Sequence, residues 1–207
     1  MIAPFRIDLV SMVEACLPGP PVMFANIDAL CRWAANNCLS FQNIPSVYAT
    51  SAVRVSGWLS GQKEIFGYNQ LWARATYSGY ARALRNVAKQ CYGVDITGQS
   101  GIQADHVINR RRLHEHPDAW VAIFPVHKSA NCPFGAIEKR LRAVPKGDLV
   151  AFLPPLVALK LFCGVLPKTR DELLCAMRDV RGQFDQHVSW VRDYCDQAHA
   201  EALNYVL

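Results

Sequence analysis

The chain has 207 residues, a net charge of +5, 51% apolar and 19% charged side chains, enough for one sizeable core and too apolar for a disordered polypeptide. No repeat of solenoid length and no low-complexity tract occurs, which excludes repeat arrays. Arg6 and Asp8 interrupt the first apolar stretch, so no signal peptide is expected. None of the eight cysteines forms a CxxC pair, so unpaired thiols, no structural zinc and a cytoplasmic, reducing location are expected.

In chain order, apolar periodicity predicts helices over 7–17 and 22–39, divided by Pro18, Gly19, Pro20 and Pro21. Residues 44–59 alternate loosely and signal at most a strand or hairpin. Over 69–91 a strong helix is predicted, with Tyr77, Tyr80, Leu84, Val87 and Cys91 on one face and Gly93 as its stop. Residues 102–106 then read as a strand, 120–126 as a second apolar strand after a polar loop, and 132–143 as a helix. Residues 149–166 are apolar except for Lys160, but Pro154 and Pro155 leave about 12 residues behind them, short of the roughly 20 needed to span a membrane; a buried helix opening at Pro155 is expected. Residues 169–206 are helical throughout, with Gly182 as the point where the stretch bends or divides. The expected fold is mainly α with a small β-containing insert (α+β). A helical scaffold spans 1–99, a ββα-like insert 100–147, and a helical region at 148–207 packs back on the scaffold, in one compact domain overall.

Chemistry-bearing residues concentrate in the insert. Residues 101–147 hold eight Lys/Arg against four acids, which is +4 of the net +5, whereas from Lys168 onward seven acids face five basic residues. Positive charge in that window favours a polyanionic partner. Arg110, Arg111, Arg112, Lys128, Lys139 and Arg140 are the candidate nucleic-acid contacts, with a plain solvated run as the alternative for the three arginines. Cleaving a phosphodiester needs a base, a cation and fixed geometry between them. Asp105 offers an oxygen ligand to a hard cation such as Mg²⁺ or Mn²⁺, and His106 a near-neutral base. Neighbours in a strand point to opposite faces, so the two converge only if the strand ends or twists there. Asn131, followed by Cys132 and Pro133, reads equally well as a helix N-cap. His114 and His116 could bind a metal from the loop. His187 and His199 are expected to be packed or exposed, and residues 98–101 (GQSG) form a turn rather than a phosphate-binding loop.

The run ADHV at 104–107, AWVAIFPV at 119–126, and HKSAN followed by CPFGAIEKRLR at 127–142 resembles the HNH, or His-Me finger, endonucleases. That resemblance implies two strands and a helix around one metal. Asp105 would be a metal ligand, His106 the general base, and Asn131 the second ligand, with His127 competing for that place and completing the catalytic pair of imidazoles. His127 and Asn131 lie 21 and 25 residues after His106, offsets that suit the motif. The family's proline after the Asp-His pair is missing, with Asn109 near its place, and so are its zinc-binding CxxC pairs. The implied activity is a metal-dependent endonuclease, acting on DNA in preference to RNA, of bacterial toxin, effector or phage type. The alternatives are a non-catalytic helical protein whose basic insert binds nucleic acid or an acidic partner, and an oligomer or inhibitor-bound protein assembled through its C-terminal helix.

Overall fold

The structure is a computed structural model that describes residues 3–16, 19–60, 65–96, 101–182 and 189–205. The first half contains α1 (Ala3–Ala15), β1 (Pro21–Phe24), α2 (Ile27–Asn36), β2 (Ser40–Gln42), β3 (Ala52–Ser60), β4 (Ile65–Arg74) and α3 (Tyr80–Tyr92). The second contains β5 (Ile102–His106), β6 (Trp120–His127), α4 (Lys128–Glu138), β7 (Val150–Phe152), α5 (Pro155–Phe162), α6 (Arg170–Gly182) and α7 (Ser189–Tyr205).

The strands form one curled antiparallel sheet in the order β2-β3-β4-β6-β1-β7, with β5 joined to β6. Ile123 of β6 pairs with Leu71 of β4 and with His106 of β5, while Trp120 and Val121 pair with Phe24 and Met23 of β1. One edge of β6 therefore serves β4, and β1 and β5 divide the other between them. Adjacent residues of β4 supply two cores: Trp72 meets Phe24 in the cluster that also holds Phe134 and Leu156, and Leu71 belongs to the cluster of Ile123 with Leu84 and Val87 of α3.

A mainly helical scaffold with a small β insert is thus overturned: the sheet draws its strands from residues 21 to 152, with 45% of residues helical and 24% in strands. Residues 69–74, expected to open a long helix, complete β4, and the helix starts only at Tyr80. Residues 22–24, expected within a helix, lie in β1, and the helix behind them begins at Ile27, capped by Asn26 accepting from the Ala29 N–H at 2.9 Å. Both errors have one cause. β1 is buried at all four positions and β4 at four of its last five, because both faces of the sheet are covered, so the period-two alternation that announces a strand is absent. The two strands of the presumed insert belong to the same sheet, and β6 is its hub.

Other expectations hold. Gly93 ends α3 in the left-handed region at φ 64°, and α5 opens at Pro155 with every later residue buried. All eight cysteines are free thiols. Among the described residues no helix is long and apolar enough to cross a membrane. His187 and residues 98–100 of the expected turn lie outside the described residues. In β3, Gly57 sits at φ 156° against α2's exit, where a Cβ would meet Leu39 Cδ2 at 2.8 Å.

Candidate active site

β5, β6 and α4 follow one another as strand, strand and helix, and α4 packs on both strands. The pleat of β5 sends Gln103 and Asp105 to the face covered by α4, and Ala104 and His106 to the face covered by α3. On the first face Asn131 meets Asp105. In the orientation that satisfies the amide, its Nδ2 donates to the carboxylate, 3.3 Å from each oxygen. Gln103 flanks the same amide.

The same carboxylate accepts a hydrogen bond from Lys160 Nζ of α5 at 2.6 Å, and that ammonium lies 2.5 Å from Glu138 Oε1 at the end of α4. Lys160 is 1% exposed and the Glu138 side chain 3%, while Asp105 keeps 18% of its side-chain surface open. Burial alone would lower the Lys160 pKa, but Asp105 and then Glu138 outweigh it, and the net movement is upward: the ammonium is fixed in its charged form. Burial raises the Glu138 carboxyl against the pull of Lys160 and of Arg112. An isolated buried ammonium would cost several kcal/mol, so this contact joins β5, α4 and α5 as one unit.

His106 stands on the opposite face, buried against Tyr80 with ring centroids 4.2 Å apart. Its Nε2 has no hydrogen-bond partner among the described residues. Burial, then the charges of Arg110 and Lys160, push its pKa down to about 4, so the ring is neutral at pH 7. Asp105 and His106 thus belong to one strand end but to two faces. His127 pairs with Ile102, three residues from the Asp105–Phe124 pair, or about 10 Å at roughly 3.3 Å per residue. It lies beside Gly164, as does Ser129, whose hydroxyl donates to the Gly164 carbonyl. Asn131, and not His127, is the residue brought to Asp105. It is no N-cap: α4 opens at Lys128, and Asn131 and Pro133 lie inside it.

The basic residues divide in the same way. Arg112 turns inward, donating from Nε to the Arg142 carbonyl at 2.8 Å, while its own carbonyl accepts from Val144 N–H at 2.8 Å. Buried His116 adds a bond to the Pro145 carbonyl at 2.9 Å, with Nε2 as donor. These contacts fasten the 110–116 loop to the segment after α4. Arg110, Arg111, Lys139, Arg140, Arg142 and Lys146 remain exposed or half-buried on the two joined segments. Lys128, also exposed, sits at the start of α4 with its backbone N–H on the Gly101 carbonyl. His114 pairs with Glu115 at 3.2 Å, so the two loop histidines do not converge.

The residues do not fit a divalent metal as the resemblance would have it. Asp105 is already engaged by an ammonium, and Asn131 presents it with a donor rather than an oxygen. A dication about 4 Å from Lys160 Nζ would be repelled by on the order of 8 kcal/mol at an effective dielectric of about 20. Among the described residues no three His, Cys, Asp or Glu side chains are grouped to hold a metal. A cleft of about 480 Å³ lined by Asn26, Thr50, Arg74, Asp118 and Trp120 lies at the other end of β6 and contains none of these residues.

The sequence pattern did not point to Lys160 and Glu138. A signal was there for the lysine: a lone charge in an otherwise apolar buried helix must have a partner. No protein-family model, no curated protein and no solved structure matches this chain.

Proposed function

We propose that the chain cleaves phosphodiester bonds of nucleic acid, DNA in preference to RNA, at the β5–β6–α4 unit. The observation that carries this reading is the meeting of Asp105 and Asn131 across that unit, beside a strand end that carries a neutral imidazole whose Nε2 has no partner among the described residues. An orphaned ring nitrogen in a buried site costs stability and calls for a reason, and accepting a proton from water is one. Arg110, whose charge His106 feels, is the cation at hand for a phosphate beside that ring, and the two fastened basic segments offer the backbone a track.

The test is nicking of supercoiled plasmid, run in EDTA and in Mn²⁺, with single-stranded RNA alongside. His106→Ala should lower cleavage by roughly 10² to 10⁴ with the fold intact. Wild-type turnover in that variant would sink the assignment of the base. A second reading, a nucleic-acid-binding protein without catalysis, draws on His106 and Asp105 facing different sides of β5. It expects salt-sensitive binding of the same plasmid and no nicking under either condition.

A further inference from the structure

We propose that the Lys160 ammonium is the resident cation of this site, standing where a one-metal hydrolase would hold its ion, and that the chain works without a divalent metal. Its catalytic meaning rests on the nuclease reading above; the cation site itself can be tested without any cleavage.

Three observations carry it. The ammonium lies 2.6 Å from Asp105 and 2.5 Å from Glu138, so two carboxylates from two elements converge on one point, as they would on an ion. That point is closed to solvent: Lys160 is 1% exposed, on a helix whose residues from Leu156 to Phe162 are all buried. Charge is also balanced without a metal, because Asp105 and Glu138 are answered by Lys160 and by the Arg112 guanidinium that bears on Glu138. Adding two positive charges would leave the centre in excess, whereas removing the ammonium would leave two carboxylates converging on a vacated point. Lys160 is a positioning residue in this scheme. It holds Asp105 in place under Asn131, and its charge reaches His106 through the strand, helping to keep that ring neutral.

The consequence is specific: taking Lys160 away should create a metal site. Wild type, titrated calorimetrically with Mn²⁺, should give no heat assignable to this site and no change in melting temperature. Lys160→Ala should bind Mn²⁺ and melt several degrees higher with the ion than in EDTA, and Asp105→Asn in that background should abolish the gain. Lys160→Arg, which restores a cation, should be as indifferent to Mn²⁺ as wild type. Should Lys160→Ala be unfolded in EDTA, Mn²⁺ is expected to fold it, since a metal that binds only the folded chain adds its binding energy to stability. Stoichiometric Mn²⁺ binding by wild type that is lost in Asp105→Asn would overturn the proposal. So would a Lys160→Ala variant that ignores the ion, folded or not. If wild type nicks plasmid, it should do so equally in EDTA and in Mn²⁺, and strict dependence on Mn²⁺ would refute the idea. Absence of nicking in both would refute the nuclease reading alone, leaving the titrations to decide the cation site.

Discussion

Replacing His106 with Phe should alter the response of stability to pH more than stability itself at neutrality. In the folded chain the imidazole is held at about 4 by burial, Arg110 and Lys160, against 6.5 for the free group. Between those values the unfolded chain takes up a proton that the folded chain refuses. A depressed histidine therefore lets stability fall as pH drops from 6.5 toward 4, and leaves it unaffected above that window. At about 1.4 kcal/mol per pH unit, the loss comes to on the order of 3 kcal/mol. Phe keeps the ring contact with Tyr80 and cannot titrate. At pH 7 it removes an orphaned nitrogen whose burial costs about 1–3 kcal/mol, and adds volume at a cost of similar size, so the variant should be near wild type there. Urea midpoints followed by tryptophan fluorescence, taken in steps from about pH 7 to about pH 4, measure both curves. The remaining carboxylates are common to both proteins and cancel in the difference. Wild type should lose on the order of 3 kcal/mol relative to His106→Phe by the acid end. Parallel curves would refute the placement of a neutral, buried His106.

The arginines should separate by role. Arg110→Ala and Arg111→Ala should each flatten the dependence of log affinity for duplex DNA on log salt, by about 0.9 for every phosphate the arginine neutralises. Arg112→Ala should leave that slope alone and lower stability by about 1–3 kcal/mol, because the Arg142 carbonyl would lose its donor and Glu138 one of the two positive charges that bear on it. A slope change in Arg112→Ala with unchanged melting would reverse the assignment. Gly57→Ala should cost about 1–3 kcal/mol in thermal unfolding, since φ 156° strains any L side chain and a Cβ at 2.8 Å from Leu39 Cδ2 would make that side chain shift. An unchanged melting temperature would mean that β3 relaxes at that point.

How much of the molecule is legible in its sequence depends on how each element is covered. α3, α6 and α7 each turn one stripe to the core and the other to water, so their 3.6-residue period is plain, and Gly93 marks the end of the first. β5, β6 and α4 are legible because polar residues punctuate them: Asp105 and His106 close one strand and His127 the next. β1 and β4 are not, since a run such as QLWA buried on both faces has no polar phase to betray its period. At the site, the Asp105–Asn131 contact follows from motif spacing, whereas Lys160 and Glu138 reach it from α5 and the far end of α4. Such a convergence is a property of packing between helices, and local pattern carries no trace of it. That Asp105 and His106 face different sides of β5 follows from the pleat alone, once the strand is seen to keep pairing beyond them through Val107 N–H and the Ala122 carbonyl.

The place of β1 has a consequence for biosynthesis. Residues 21–24 are made early, yet both strands that flank them are made late, at 120–121 and 150–152. On the ribosome the β3–β4 hairpin can close from its own residues, while β1, apolar at every position, waits with both edges open for about a hundred residues of further synthesis. The sheet therefore completes only as the β6–β7 region emerges, an ordering dominated by distant pairings and correspondingly slow. Fragments that stop before β6 would expose β1 and the buried faces of β3 and β4, and they should accumulate as aggregate rather than as a smaller folded protein.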